Sequence, residues 1–85
     1  MAWAPEAVIM EEADLRGAQL YSAQLEGALL KKAKLNNAKL GATELSCARL
    51  PGATFDDADM PQVRLFRAEL SNAKMRRANL RGADL

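Results

Sequence analysis

The stretch ADLRGAQLYSAQLEGALLKKAKLNNAKL, residues 13–40, places a leucine at every fifth position, and the spacing continues to the last residue. From Glu11 onward, a large apolar residue occupies every fifth position without exception. Two residues before each of these centres lies a small residue, which is alanine except at Thr43 and Val63. The centres are Leu15, Leu20, Leu25, Leu30, Leu35, Leu40, Leu45, Leu50, Phe55, Met60, Leu65, Leu70, Met75, Leu80 and Leu85.

A period of five residues fits neither of the common secondary structures. On an α-helix, five residues rotate the side chain by roughly 140°, so the leucines would spread around the whole circumference. On a flat strand, the odd spacing would send successive leucines to opposite faces and expose half of them. If the chain turns a corner once per unit, the centre and the small residue before it can always point inward. The period therefore predicts a β-solenoid.

The charged residues predict how many units make one coil. Residues stacked about 4.8 Å apart in adjacent coils should avoid like charges. At an offset of twenty, nine pairs of opposite charge, such as Glu44 and Arg64, face each other within residues 11–85, and no like-charged pair does. At an offset of fifteen, six like-charged pairs stand against one opposite pair. We therefore expect four units per coil, about four coils and a square cross-section.

The units ADLRG at 13–17 and ANLRG at 78–82 resemble those of the pentapeptide-repeat family, and the resemblance extends over residues 11–85. It implies an all-β fold, a right-handed quadrilateral β-helix with four pentapeptides per coil. Members of this family include proteins that bind DNA gyrase and protect it from quinolones or toxins, along with many proteins of unassigned role. The resemblance is therefore specific for fold and unspecific for function.

The first residues fall outside the regular repeat, so we expect an N-terminal cap or arm at 1–9 and a repeat domain at 10–85. Trp3 and Val8 are suited to cover the first coil, since an open solenoid end exposes leucines and unpaired backbone groups. A disordered tag remnant is the alternative. The chain shows neither a signal-peptide pattern nor an apolar span long enough for a bilayer, so we expect a cytoplasmic protein.

The second residue after each centre is predicted to lie at a corner. Turn-forming residues are common there: Gly17, Ser22, Gly27, Asn37, Gly52, Asp57, Asn72 and Gly82. Four corners carry bulkier residues, namely Lys32, Gln62, Arg67 and Arg77. Their presence indicates that a corner does not always require a positive φ. Pro51 and Pro61 must lie outside the backbone ladder, because proline has no N–H to donate.

The sequence predicts no catalytic residues, no cofactor and no metal site, and hence no enzyme. It contains no histidine, and its one cysteine, Cys47, occupies an outward corner without a base to activate it. Asp56, Asp57 and Asp59 form the single cluster with metal-binding chemistry. Basic residues one coil away already balance their charge, so we do not expect a metal there.

Charge also separates the two serious functional hypotheses. The net charge of +1 argues against a polyanion binder, so no direct nucleic-acid binding is expected. Gyrase-binding relatives are thought to act as long acidic rods that mimic DNA, whereas this chain has no continuous negative stripe. Four coils would span only roughly 19 Å. We therefore favour a non-enzymatic scaffold or protein–protein interaction module over a gyrase-binding DNA mimic of the quinolone-resistance type, and we expect no membrane association.

Outward apolar residues are the candidates for an interaction surface. Ile9 and Leu29 share one column and form a small apolar patch, while Tyr21 and Phe66 stand at exposed corners. Packing of the N-terminal arm over Ile9 and Leu29 is an equally good interpretation of that patch. Scattered exposed apolar residues are otherwise normal on protein surfaces.

The C-terminal coil is the second candidate surface. Residues 66–85 carry five basic and two acidic side chains, a net +3, whereas residues 6–25 carry a net −3. The sequence stops in register at an inward centre, so either the chain is a fragment of a longer protein or another chain covers this end. We expect end-on self-association through this coil. A closed dimer is the favoured form, since an arm containing Trp3 would block head-to-tail growth. The candidate contact residues of this coil are Arg76, Arg77, Arg81 and Leu85.

Overall fold

The computed structural model describes residues 8–85. Within that range the chain forms no helix and no continuous strand; its regular structure is a set of single-residue parallel β-bridges. Each bridge joins residues twenty positions apart, the offset that the charges indicate. The four rows of bridged residues are Ile9–Leu29–Arg49–Glu69, Asp14–Lys34–Thr54–Lys74, Gln19–Lys39–Asp59–Asn79 and Gln24–Glu44–Arg64–Asp84.

Backbone hydrogen bonds connect each unit in the middle of the described chain to the coils on both sides. The amide of Lys34 donates to the carbonyl of Ala13 at 2.9 Å, and the amide of Leu35 donates to the carbonyl of Thr54 at 2.7 Å. The corner amide of Asn37 donates forward as well. Because this pattern repeats at a constant offset, the described chain stacks on itself as a β-solenoid.

Each corner is a tight turn closed by one backbone hydrogen bond. The amide three residues after a centre donates to the carbonyl of that centre, as Ala53 does to Leu50 at 3.1 Å. Positive φ occurs at the second residue after the centre and not at the first, which is the pattern of a type II turn. Pro51 and Gly52 are the residue types that this turn favours at its two central positions.

Positive φ is required at every described corner, including those without glycine. Eleven non-glycine residues adopt φ between 55° and 62°, among them Lys32, Gln62, Arg67 and Arg77. The expectation that bulky corner residues escape positive φ was therefore wrong. A side chain that points into solvent does not clash with its neighbours, so bulk is tolerated, but the left-handed backbone still costs about 1–2 kcal/mol for most residue types.

The first residue after each centre is the place where proline is compatible with the ladder. Its amide makes no backbone hydrogen bond in any unit of residues 8–85, so Pro51 and Pro61 lose none. Their carbonyls accept from Lys32 and Ala42 in the preceding coil. The prediction that both prolines lie outside the ladder is therefore confirmed for hydrogen-bond donation, whereas their carbonyls do take part in the ladder.

The interior is filled by the centres and by the small residues two positions before them. Burial is greatest in the middle of the chain, where Leu40, Phe55 and Met60 are fully buried, and Met75 and Leu80 are only half-buried. Burying a side chain as large as Phe55 contributes about 1.5–3 kcal/mol. Thr43 is fully buried too, and its hydroxyl donates to the carbonyl of Leu20 at 2.7 Å. The threonine in the alanine column is therefore satisfied by the backbone.

A reciprocal pair of one-methyl substitutions tests the requirement for positive φ. Ala42 has φ 55°, and Gly17 has φ 72° with no atom within 4 Å of the position a Cβ would occupy. We expect Ala42→Gly to raise the free energy of unfolding and Gly17→Ala to lower it, each by about 0.5–1 kcal/mol. The first substitution removes the strain of a left-handed backbone and the second introduces it. Urea denaturation measures both values. Destabilisation by both variants would contradict this account of the corners.

Candidate functional site

Within residues 8–85, the outer surface along the solenoid carries side chains that are available for recognition. In each unit these are the bridged residue and the two corner residues after the centre. Ile9 and Leu29 are bridged to each other, and Ile9 is 69% exposed while Leu29 is half-buried. The structure therefore brings these two aliphatic residues together in one column.

The two exposed aromatic residues of the described chain, 8–85, lie on different corners and do not form one patch. Tyr21 lies over Gly41, where its ring occupies space that a Cβ would need: the Cδ1 atom is 3.2 Å from that position. Gly41 is buried as a result. Phe66 lies beneath its neighbour Arg67, whose guanidinium carbon is 5.3 Å from the ring centroid. Both rings keep about half of their surface exposed.

Two arginines of the C-terminal coil are held by aspartates one coil away. Arg76 binds Asp56 through its Nη2 atom at 2.8 Å, and its backbone amide donates to the same carboxylate at 2.9 Å. Arg77 binds Asp57 through Nε at 2.7 Å and Nη2 at 3.0 Å. These hydrogen bonds hold the pKa of each aspartate below its ordinary value. Both arginines are thus part of the wall as well as candidate contact residues.

Only some of the predicted opposite-charge pairs are ion pairs. Within residues 8–85, three of the nine pairs at an offset of twenty are in contact, the third being Arg64 with Glu44 at 3.5 Å. Asp14 instead binds Arg16 of its own unit at 2.7 Å, which lowers the pKa of Asp14 to about 2. The sequence comparison by columns missed this pair because it considered only neighbours in adjacent coils.

The structure leaves the remaining candidate residues, Arg81 and Leu85, and the thiol of Cys47 exposed. The backbone carbonyl of Arg81 accepts from the backbone amide of Gln62, and the backbone amide of Arg81 donates to the side-chain oxygen of Asn79. Leu85 is 75% exposed. Cys47 is an exposed free thiol at a corner, as predicted.

Asp56, Asp57 and Asp59 do not converge on a common point that a metal could occupy. The first two are paired with arginines, and Asp59 accepts from the side-chain amide of Asn79 at 2.9 Å. Among the described residues, no group of carboxylates and thiols has the arrangement of a metal site.

A depression on the wall that carries Lys34 was not predicted from the sequence. Its lining is basic and polar, consisting of Arg16, Lys32, Lys34, Asn36, Asn37, Gly52 and Thr54. The signal that could have found it is the run of lysines and asparagines in KKAKLNN, residues 31–37, which one wall must display together.

The regular bridges and corners agree with a comparison of the sequence with family models. The model of pentapeptide repeats matches in eight copies, at residues 8–31, 23–62, 33–72 and 64–85. The chain belongs to the pentapeptide-repeat family. No curated protein matches it in a comparison of sequences. The family membership predicted from the units is therefore confirmed.

In this pentapeptide-repeat protein, no helix of residues 8–85 is long and apolar enough to cross a membrane. The cytoplasmic location stays a prediction. The N-terminal cap also stays a prediction, because residues 1–7, including Trp3, lie outside the part of the chain that the structure describes.

The arginine–aspartate pairs predict how stability depends on pH. A carboxylate whose pKa is lower in the folded than in the unfolded state stabilises the fold above about pH 4, and this contribution is lost as the pH falls through the folded pKa. We therefore expect the melting temperature to fall below about pH 4, and to fall less in Asp56→Asn, since the amide cannot titrate. Thermal melts of both proteins from pH 7 to pH 2 measure this. Parallel curves for the two proteins would contradict the assigned role of Asp56.

Proposed function

We propose that this protein is a non-enzymatic scaffold or protein–protein interaction module. The proposal is supported by family membership and by a wall on which backbone pairing holds side chains in a fixed register. A rigid wall of this kind can present several side chains to a partner with little loss of conformational entropy on binding. Four of its carboxylates are paired with arginines, a chemistry suited to recognition.

We also propose that the solenoid is a right-handed quadrilateral β-helix of about four coils. A turn at every fifth residue and pairing at every twentieth support four sides per coil. Right-handedness is the usual sense of the connection between parallel β-segments.

The observation that carries a specific interaction is the open edge of the coil at 66–85. Within the described residues, the amides of Leu70, Met75 and Leu80 donate to no backbone carbonyl. The carbonyls of Ala68 and its counterparts in the next two units accept from no backbone amide. The corner amides of Asn72 and Arg77 likewise donate to no backbone carbonyl, so each unit of this edge offers two donors and one acceptor next to a half-buried apolar centre.

A second copy of the same edge is the occupant we propose, giving an end-on dimer. Two identical edges related by a two-fold axis can exchange donor for acceptor and bury Leu85 together with the neighbouring centres. The net charge of +3 on this coil opposes the contact, but these charges lie on the outer wall and are screened by salt. Raising the salt concentration should therefore strengthen this dimer, whereas it would weaken head-to-tail contact between the basic and acidic coils.

Sedimentation equilibrium at high micromolar concentration tests the dimer. We expect a dimer whose dissociation constant falls as NaCl is raised from about 50 to 500 mM, because screening reduces the repulsion between the two basic coils. Leu85→Lys should abolish it, since a charge replaces an apolar side chain at the centre of the contact.

Ile9→Lys is the matched control, because Ile9 is similarly exposed but lies at the other end of the described chain. It should leave the dimer intact. A strict monomer, or an assembly that salt weakens, would contradict the proposed contact. An equal effect of the two variants would do so too.

Binding to DNA gyrase as a DNA mimic is the alternative function. It requires a continuous acidic surface, and the basic coil at 66–85 is opposite in sign. We therefore expect no inhibition of gyrase supercoiling and no protection from quinolones when the protein is titrated into the reaction. Inhibition at micromolar protein would replace the scaffold proposal with the gyrase-binding one.

A further inference from the structure

The depression on the Lys34 wall has an unusual charge balance. Three of the aspartates on or beside this wall are held by arginines: Asp14 by Arg16, Asp56 by Arg76 and Asp57 by Arg77. Among residues 8–85, neither Lys32 nor Lys34 forms an ion pair with a carboxylate. The arginines bind the carboxylates, and neither lysine is in contact with one.

Glu12 is an acidic residue without an arginine partner within residues 8–85. It occupies the corner one coil away from Lys32 and forms no ion pair with it in the described structure. It is also absent from the lining of the depression, which includes no carboxylate at all. The charged residues of the lining are Arg16, Lys32 and Lys34. Because Asp14 offsets the charge of Arg16, the two lysines supply the net positive charge of the depression.

Several of the lining groups are oriented by neighbours that leave donors available. Thr54 donates its hydroxyl to the side-chain oxygen of Asn36 at 2.8 Å, so the amide nitrogen of Asn36 remains a donor. The stem of Lys32 packs over Gly52, with its Cγ atom 3.4 Å from the position a Cβ would occupy. Arg16 uses Nε and Nη2 for Asp14, which leaves its Nη1 atom without a partner among residues 8–85.

From this arrangement we propose that the depression binds a phosphate-type oxyanion, either as the free ion or as the phosphate group of a small ester. Two ammonium groups, one guanidinium edge and one side-chain amide can surround a tetrahedral anion that accepts hydrogen bonds on every side. A divalent anion gains from both lysine charges at once and can also accept a hydrogen bond from the guanidinium. A monovalent ion such as chloride gains less, because it carries one charge and has a single acceptor atom.

The test is an NMR titration of ¹⁵N-labelled full-length protein at about pH 7.5 and constant ionic strength. The probes are inorganic phosphate and phosphoserine, with sodium chloride as the reference. We expect saturable shifts confined to amides of residues 32–37 and 52–54. Tighter binding of phosphoserine would identify the ester as the preferred source, and tighter binding of phosphate the free ion.

Lys34→Gln and Lys39→Gln form a matched pair of variants. Both lysines are exposed and occupy the bridged position of their units, but Lys39 lies on the next wall. We expect Lys34→Gln to weaken phosphate binding about fivefold, as loss of one exposed ion pair allows, and Lys39→Gln to leave it unchanged. Thermal melts check that both variants fold equally well.

Several outcomes would overturn the proposal. One is a set of shifts that rises linearly without saturation or that spreads over all four walls. Another is an equal response to chloride, which would reduce the effect to screening. An equal loss of affinity in the two lysine variants would show that overall charge, and not this depression, attracts the anion.

Discussion

The left-handed corner residue is the constraint on which this structure depends. A positive φ at the second residue after each centre turns the chain. The backbone hydrogen bond from the third residue after the centre to the carbonyl of the centre closes the turn. Without that turn, a period of five would send successive centres such as Leu35 and Leu40 to opposite faces of a strand. With it, both are buried in one interior. Each corner without glycine costs strain in the folded state, so the fold is stable only where stacked coils add enough apolar burial to offset it.

The sequence predicted the parts of the fold that repeat and missed the parts that depend on conformation within one unit. Periodicity and column charges indicated the inward centres and the offset of twenty, since both are averages over many units. The corner was misjudged because residue type is a weak guide to φ: Lys32 and Arg67 have the same left-handed backbone as Gly17. Likewise, residue spacing indicated that Asp14 faces Lys34, but it could not show that Asp14 would bind Arg16.

Arginine and lysine behave differently on this wall, for a reason in their chemistry. The planar guanidinium of Arg77 reaches Asp57 with two nitrogens, and that of Arg16 does the same with Asp14. An ammonium such as that of Lys34 is compact, strongly hydrated and carried on a flexible stem, so an exposed pair gives it little advantage over water. Opposite charges in a column therefore define register without always forming contacts. The spacing of charges in the sequence indicates which residues share a column, but it does not indicate which of them form ion pairs.

The three outward positions of a unit are not equally free to evolve a binding site. The second corner residue must tolerate a left-handed backbone, and the bridged residue stacks about 4.8 Å from its neighbours in the row. Like charges at that distance repel, so a row can accumulate charge only where a neutral residue separates the charged ones. The row Asp14–Lys34–Thr54–Lys74 has this composition once Arg16 engages Asp14. Few positions can therefore both maintain a regular solenoid and carry a charged surface. The wall around Lys34 contains such positions.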